Sequence, residues 1–580
     1  MAPERSRGCN ETSTLPAIVS CMPRRLAARL LLLSLLLTSR LPAGSAEPVS
    51  RSPADSAAKD RRVVLLPPPG VALELSGLAE ELEEAVVRMA PRVPVPAGAP
   101  PVRVAVEPDF VALARATGQV GEAVHGGRGD LSLVYHPDDL FADRFALAKI
   151  LLERTGATAG RPLWLIRGAA LWLSEGWYGR SWRDWLPRLA AARALPTAGQ
   201  LLASGEAADA SGVLWLPAAA AVVDRLPGRT AAEKLSRPPA PAAVAATLAD
   251  LGRLPAPPPS PPPPPLPRFL KGVSLAMLNS VEGGYQSPEI DARLAALRGL
   301  GADAVSIMPF GFQREPDRPE IAFLNRHPRS ETDAAVVHAV RRAHAHGMTV
   351  LYKPHLWVPH DHWPGDIEMK TEADWAAWWS GYRRFILHHA VLAAWSRAEV
   401  LSLGCELSKT TGRLAEWREL IAAVRQLYPG RLTYAANWGG DLERVAFWDR
   451  LDVAGVDAYD PLDPDPHATP ARLAAGARAV AAHLEAAARR TGRPLLLTEV
   501  GFAASAAAWT APHREGGAYS EADQAAAYSA LFAALDHRPW LAGTFLWKAF
   551  SGEESWDREE PDFRFLGRRA EQTVREYYKK

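Results

Sequence analysis

Cysteine is nearly absent from this chain: three in 580 residues, at Cys9, Cys21 and Cys405. So sparse a set excludes a disulfide-stapled scaffold. An excess of charge of either sign is also missing, because 66 Lys and Arg nearly cancel 65 Asp and Glu. That removes the electrostatic footprint of a nucleic-acid or anionic-membrane binder and favours a neutral partner. The leucine run inside Met22–Ala46 is only about eight to ten residues long, too short to cross a hydrocarbon core of roughly 30 Å as a helix.

What that run does match is an export signal. Arg24, Arg25 and Arg29 precede it and the small residues Gly44 and Ala46 follow it. Translation is expected to start at Met22, so that Cys9 and Cys21 leave the mature protein and Cys405 stands alone. No intrachain disulfide and no lipidated cysteine then follow, and the expected destination is the periplasm or the medium, without membrane attachment after cleavage.

At this length two domains are expected. The segment Pro255–Arg268, PAPPPSPPPPPLPR, is short of backbone donors and suits an extended polyproline II rod, a stiff spacer keeping its flanking units up to roughly 40 Å apart. The organisation read from the chain is therefore 1–46 upstream extension and signal, 62–254 first domain, 255–268 linker and 269–580 second domain.

In the second domain apolar β-type runs alternate with amphipathic helical patterns such as ETDAAVVHAVRRAHAHG. The runs are Phe269–Ala276, Asp303–Pro309, Met348–Pro354, Val400–Glu406, Leu432–Asn437, Leu451–Tyr459, Pro494–Val500 and Leu541–Trp547. Eight such repeats predict an α/β fold, a (β/α)8 TIM barrel, preceded by a smaller, mainly helical α+β domain with a strand near Val102–Val106. No Gly-rich phosphate loop follows the first run, which argues against a dinucleotide fold.

Barrels of this kind carry their reacting groups at the C-terminal ends of the strands. The fourth run ends LSLGCELSKT and the seventh PLLLTEVGF, so each delivers one glutamate, Glu406 and Glu499, to the same rim. Two carboxyls across one cleft are the minimum apparatus of glycoside hydrolysis. A separation of about 5 to 5.5 Å gives retention and about 6.5 to 9.5 Å gives inversion, which spacing along the chain leaves open. Of 19 tryptophans, 13 follow Phe269, and indole faces stack well on sugar C–H faces.

The pieces KGVSLA at Lys271, GGYQSPE at Gly283, AVSIMPFGFQ at Ala304, VLYKPHLW at Val350, GCEL at Gly404, YAANW at Tyr434, GVDAY at Gly455, LLTEVGF at Leu496 and FLWKAF at Phe545 together resemble glycoside hydrolase family 113, a β-mannanase family of clan A. The resemblance implies a retaining β-glycosidase acting on β-1,4-linked mannose-containing or related β-hexoside chains, with Glu406 as acid/base, Glu499 as nucleophile and neither metal nor cofactor. It also implies that Lys353, His355, Trp357, Asn437 and Trp438 line sugar subsites. On chemical grounds Tyr459 is expected to hydrogen-bond the nucleophile and Trp547 to floor the sugar at the cleavage point. The acid/base needs a raised pKa and the nucleophile a normal or low one. One residue departs from the clan: Cys405 stands where an asparagine usually contacts the sugar 2-hydroxyl, and a thiol is a poor donor and acceptor. That departure motivates an alternative, a non-catalytic carbohydrate-binding scaffold on a disabled barrel.

Upstream, FALAKILLERTG, RPLWLIRGAALWLSEG and AAAAVVDRLPG resemble the helical core of gluzincin-type metallopeptidases. Phe145, Ala146, Lys149 and Arg167 fall where the family has its HExxH residues and third ligand, and Glu175 and His136 lack ligand spacing. The resemblance thus implies the fold without the zinc, a module that docks an unknown partner, and it disfavours an active peptidase.

Overall fold

The structure is a computed structural model. It describes residues 61–579 except 69, 71–74, 97, 122, 136–140, 205–211, 259–260, 262, 264–265, 267–268, 324–326, 328, 361 and 554–558. The export signal, Cys9, Cys21 and His136 lie outside the described residues. Among those described, no helix is long and apolar enough to cross a membrane.

The N-terminal part builds a small sheet from β1 (Val63–Leu66), β2 (Val102–Glu107), β3 (Ala123–His125) and β4 (Leu131–Val134), ordered β1-β2-β4-β3. Strand β2 fulfils the Val102–Val106 expectation. A hairpin, β5 (Gly176–Trp177) and β6 (Arg180–Ser181), follows among helices. Helix Leu163–Ser174, LWLIRGAALWLS, is apolar on nearly every side because it is covered on nearly every side. Gly168 lets it approach helix Leu216–Arg225 so closely that an added Cβ would lie 2.9 Å from the Ala219 backbone.

The peptidase-type positions carry packing. Phe145 packs on Trp177 with ring centroids 5.4 Å apart, and Ala146 is buried. Lys149 lies 3.9 Å from Glu153, the Arg167 guanidinium sits over the Trp215 ring, and Glu175 pairs with Arg92 at 2.7 Å. Among the described residues no group of three His, Cys, Asp or Glu side chains with ligand spacing occurs in this part of the chain.

The remaining strands are β7 (Leu270–Ala276), β8 (Ala304–Ile307), β9 (Phe310–Gln313), β10 (Ile321–Ala322), β11 (Thr349–Tyr352), β12 (His355–Trp357), β13 (Val400–Cys405), β14 (Arg431–Asn437), β15 (Ala454–Asp457), β16 (Leu495–Val500) and β17 (Leu541–Phe550). Eight of them close a barrel in the order β7-β8-β11-β13-β14-β15-β16-β17, every neighbouring pair parallel. These are the eight runs of the sequence, and they read as continuous apolar stretches because both faces are covered. Leu270, Ala304, Leu351, Val400, Val453, Leu496 and Phe545 form one buried layer. Gly272 makes room for the Phe545 ring: a Cβ there would meet it at 2.4 Å.

Two features depart from expectation. Strands β10, β9 and β12 form a separate small sheet on the loops after β8 and β11, at the catalytic end. The proline-rich segment, moreover, does not hold its flanking units apart. Phe110, Leu113 and Ala114 of helix Phe110–Thr117 share an apolar cluster with Ala334 and Val281 of the barrel. Arg115 lies 3.3 Å from Glu282, Tyr178 meets Trp395 edge-on at 4.9 Å, and Arg188 donates to the Gln426 carbonyl at 3.2 Å. Burying Phe110 and Leu113 in this cluster favours the docked arrangement by about 1.5 to 3 kcal/mol each.

Candidate active site

Glu406 follows β13 directly, with φ +55°. A left-handed backbone at a non-glycine residue costs of order 1 to 3 kcal/mol and persists only where surrounding structure enforces it. Here the Glu406 N–H donates to the Ala435 carbonyl at 2.8 Å, tying the turn to β14. The Glu406 carboxylate accepts from Trp363 Nε1 at 2.8 Å.

Glu499 lies within β16, buried. Its Oε2 accepts from the Tyr459 hydroxyl at 2.8 Å and its Oε1 from Lys353 Nζ at 2.6 Å. Lys353, wholly buried, also donates to both oxygens of Asp457 at 2.9 and 3.2 Å. Asp457, the last residue of β15, accepts further from the Thr498 hydroxyl at 2.7 Å and the Cys405 thiol at 3.2 Å. Cys405 is thus committed to a buried carboxylate. Burial, then the Asp457 charge, pushes the thiol pKa well up, so it stays protonated and donates.

Two carboxylates, Asp457 and Glu499, thus bond one ammonium, and Glu406 lies close enough to feel all three charges. Burial disfavours the Lys353 cation, but the charges of Asp457 and Glu499 more than offset this and raise its pKa. Fully ionised, the cluster would carry two uncompensated buried charges, so a proton is retained. Burial, then the charges of Asp457 and Glu499, push Glu406 up to about 8, against a single opposing bond from Trp363 and the Lys353 charge. Burial and Asp457 push Glu499 up to about 7, opposed by Lys353 and Tyr459. Both acids are raised, contrary to the expectation of a normal or low value for Glu499. The donor sets still order them: Glu499, held by an ammonium and a phenol, ionises first, and Glu406 keeps the proton.

His355, two residues beyond Lys353, is neutral because burial and the Lys353 charge depress its pKa well below the ordinary range. Its Nε2 is buried, makes no hydrogen bond among the described residues, and lies 4.0 Å from Glu499 Oε1. His355, Cys405 and Glu499 offer ligand atoms within 4.8 Å of one another. A metal ion there would have to displace the ammonium already bonded to Glu499.

The structure thus gathers Glu406, Glu499, Lys353, His355 and Tyr459 into one cluster. Trp357 stands at the outer end of β12, half exposed. Asn437 ends β14 and Trp438 follows, its ring 5.1 Å from that of His513. Trp547 sits in β17, half-buried, and its peptide bond to Lys548 is cis. Sequence reasoning passed over Asp457, Thr498 and Trp363. Asp457 was detectable, as an acid in the apolar sixth run two residues before Tyr459. Trp363 lies in a loop with no periodic signal.

The model of Glycoside Hydrolase Family 113 matches residues 276–565. Among solved structures, the chain is similar to the GH113 β-mannanase AaManA from Alicyclobacillus acidocaldarius in complex with ManMIm, at 28% identity over 54% of this chain and 97% of that one, TM-score 0.48. It is also similar to a GH113 β-1,4-mannanase, at 22% identity over 54% and 99%, TM-score 0.48, and to the endo-β-1,4-mannanase from Thermotoga petrophila, at 16% identity over 54% and 76%, TM-score 0.37. None of the curated proteins compared matches it. The family match does not reach the N-terminal part, so the gluzincin resemblance has no support from it. With residues 276–565, half of the chain and the part that carries both glutamates, matched in this way, the chain belongs to glycoside hydrolase family 113.

Proposed function

We propose that this glycoside hydrolase cleaves β-1,4-linked mannose-containing or related β-hexoside chains by a two-step retaining mechanism. The observation that carries this reading is the unequal support of two buried glutamates. Glu499, fixed by Lys353 and Tyr459, attacks the anomeric carbon, while Glu406, protonated, gives its proton to the departing oxygen. Glu406 then takes a proton from water, which displaces Glu499 from the sugar. Asp457 is no rival nucleophile: it is wholly enclosed and accepts four hydrogen bonds, two from Lys353 and one each from Thr498 and Cys405, whereas Glu499 accepts two and keeps some exposure. His355 Nε2 is positioned to meet a sugar hydroxyl. The role of the missing clan asparagine falls to such neighbours, because the Cys405 thiol is engaged elsewhere.

We propose further that the protein is exported through its Met22–Ala46 segment, and that residues 62–254 form a non-catalytic module joined to the barrel at its docked face. A scaffold role on a disabled barrel predicts no reducing ends from any substrate. The test is a reducing-sugar screen of the full chain on mannan, glucomannan, cellulose, xylan and galactan. Hydrolysis of the mannose-containing polymers, abolished by Glu406→Ala and by Glu499→Ala, supports the reading. Binding without release of reducing ends overturns it.

A further inference from the structure

The two glutamates of the cleft are held unequally. Glu499 accepts from both Lys353 and Tyr459, whereas among the described residues the carboxyl group of Glu406 has one hydrogen bond, from Trp363 Nε1 to its Oε2 at 2.8 Å.

Trp363 sits on the loop after β12, and that loop is built to hold the indole still. The short 3-10 turn Pro364–Asp366 follows, closed by the Asp366 N–H on the Trp363 carbonyl at 2.9 Å. Gly365 lies against the indole, where an added Cβ would be 2.3 Å from the ring. Ile367 and Met369 are buried, and the Glu368 N–H donates to the Pro316 carbonyl at 3.1 Å. Lys409, in the turn Ser408–Thr410 just beyond Glu406, reaches across to lie 3.0 Å from Glu368 and 3.9 Å from Asp366. The loop that carries the indole is thereby tied to the loop that carries the carboxyl group.

An indole N–H donates and never accepts, so it faces Glu406 in the same way whether that group is acid or carboxylate. A carboxylic acid accepts at its carbonyl oxygen, so a donor on Oε2 leaves the acidic proton to Oε1. Glycoside hydrolysis asks the acid/base to give its proton to the leaving oxygen and then, ionised, to take one from water. Both transfers pass through the oxygen that the indole leaves free.

We infer that Trp363 is a positioning residue for the acid/base: its N–H fixes which oxygen of Glu406 carries the proton and where that oxygen points. The inference rests on the hydrolase reading of Glu406 and deepens it. Because the N–H also stabilises the carboxylate, it opposes the burial that raises the Glu406 pKa.

The test uses the full chain and two aryl β-mannobiosides, or β-cellobiosides where the reducing-sugar screen selects glucan, that differ only in the leaving group. Phenol needs a proton from Glu406 to depart, whereas 2,4-dinitrophenol leaves without one. Trp363→Phe should lower kcat/KM for the phenyl glycoside about ten- to a hundred-fold, the cost of a misplaced acid, and that for the dinitrophenyl glycoside by a much smaller factor. The alkaline limb of its kcat/KM profile on the phenyl glycoside should move to higher pH, since the carboxylate has lost its donor. Gly365→Ala keeps the indole and displaces it, and should give the same leaving-group split in weaker form. Equal factors on both glycosides in both variants, or an alkaline limb left in place by Trp363→Phe, overturn the inference, for a packing role alone would give that result. No hydrolysis of either glycoside by the unmodified protein overturns the hydrolase reading, and the inference with it.

Discussion

At Glu406 and Glu499 burial holds two carboxylic acids above their ordinary pKa of about 4.3, to about 8 and about 7. The native state therefore binds protons that the unfolded chain releases. The stability these groups contribute is fully present below about pH 4.3 and is lost as pH rises through about 7 and 8. Glutamine cannot ionise. The melting temperature of Glu406→Gln relative to the unmodified protein should therefore climb between pH 5 and pH 8, and a pH-independent difference would show that Glu406 is not held protonated. Asp457 raises both glutamates through its charge. Asp457→Asn should then move both limbs of the kcat/KM profile to lower pH, because Glu499 ionises more easily and Glu406 loses its proton sooner; unmoved limbs would remove Asp457 from the electrostatics. The two glutamates were legible in the sequence because each ends a recognisable strand. The partners that set their protonation were only partly so. Lys353 and Tyr459 end runs, whereas the link through Asp457 to Cys405 and Thr498 exists only once the closed barrel brings β13, β15 and β16 around one interior.

At the scale of elements the barrel rests on close approaches that one side chain would block. Gly272→Ala would place a methyl 2.4 Å from the Phe545 ring, and overpacking of this kind typically costs 1 to 3 kcal/mol. Chemical denaturation should show that loss, and Phe545→Leu in the same chain should return part of it, as expected for residues in contact. Additive losses would mean that the two do not clash. All eight barrel strands were readable because a strand covered on both faces is an unbroken apolar run. Strands β9, β10 and β12 were not, because they are two to four residues long and lie in what the pattern reads as loops. Their pairing depends on β8 and β11 delivering them side by side.

For the whole molecule, the apolar cluster joining helix Phe110–Thr117 to Val281 and Ala334 predicts that the two parts unfold together. Val281 lies on the loop after β7 and Ala334 opens the helix after β8, at the catalytic end, whereas Trp395 and Gln426 close helices that lead into β13 and β14, so the docking runs along the side of the barrel. Calorimetry of the full chain should give one transition, and Phe110→Asp should split it or lower it; two well-separated transitions in the unmodified protein would mean independent parts. Composition alone suggested a rigid spacer, because a proline-rich segment states its own stiffness and says nothing of the surfaces at its ends.

The central claim is that Glu499 attacks sugar while Lys353 and Tyr459 hold it. The most direct measurement is trapping: the full chain is incubated with a 2-deoxy-2-fluoro-β-mannosyl fluoride, digested, and mapped by mass spectrometry. The expected result is one fluorosugar on the peptide carrying Glu499, absent in Glu499→Gln. Label on another residue, or none while the protein hydrolyses mannan, would contradict it.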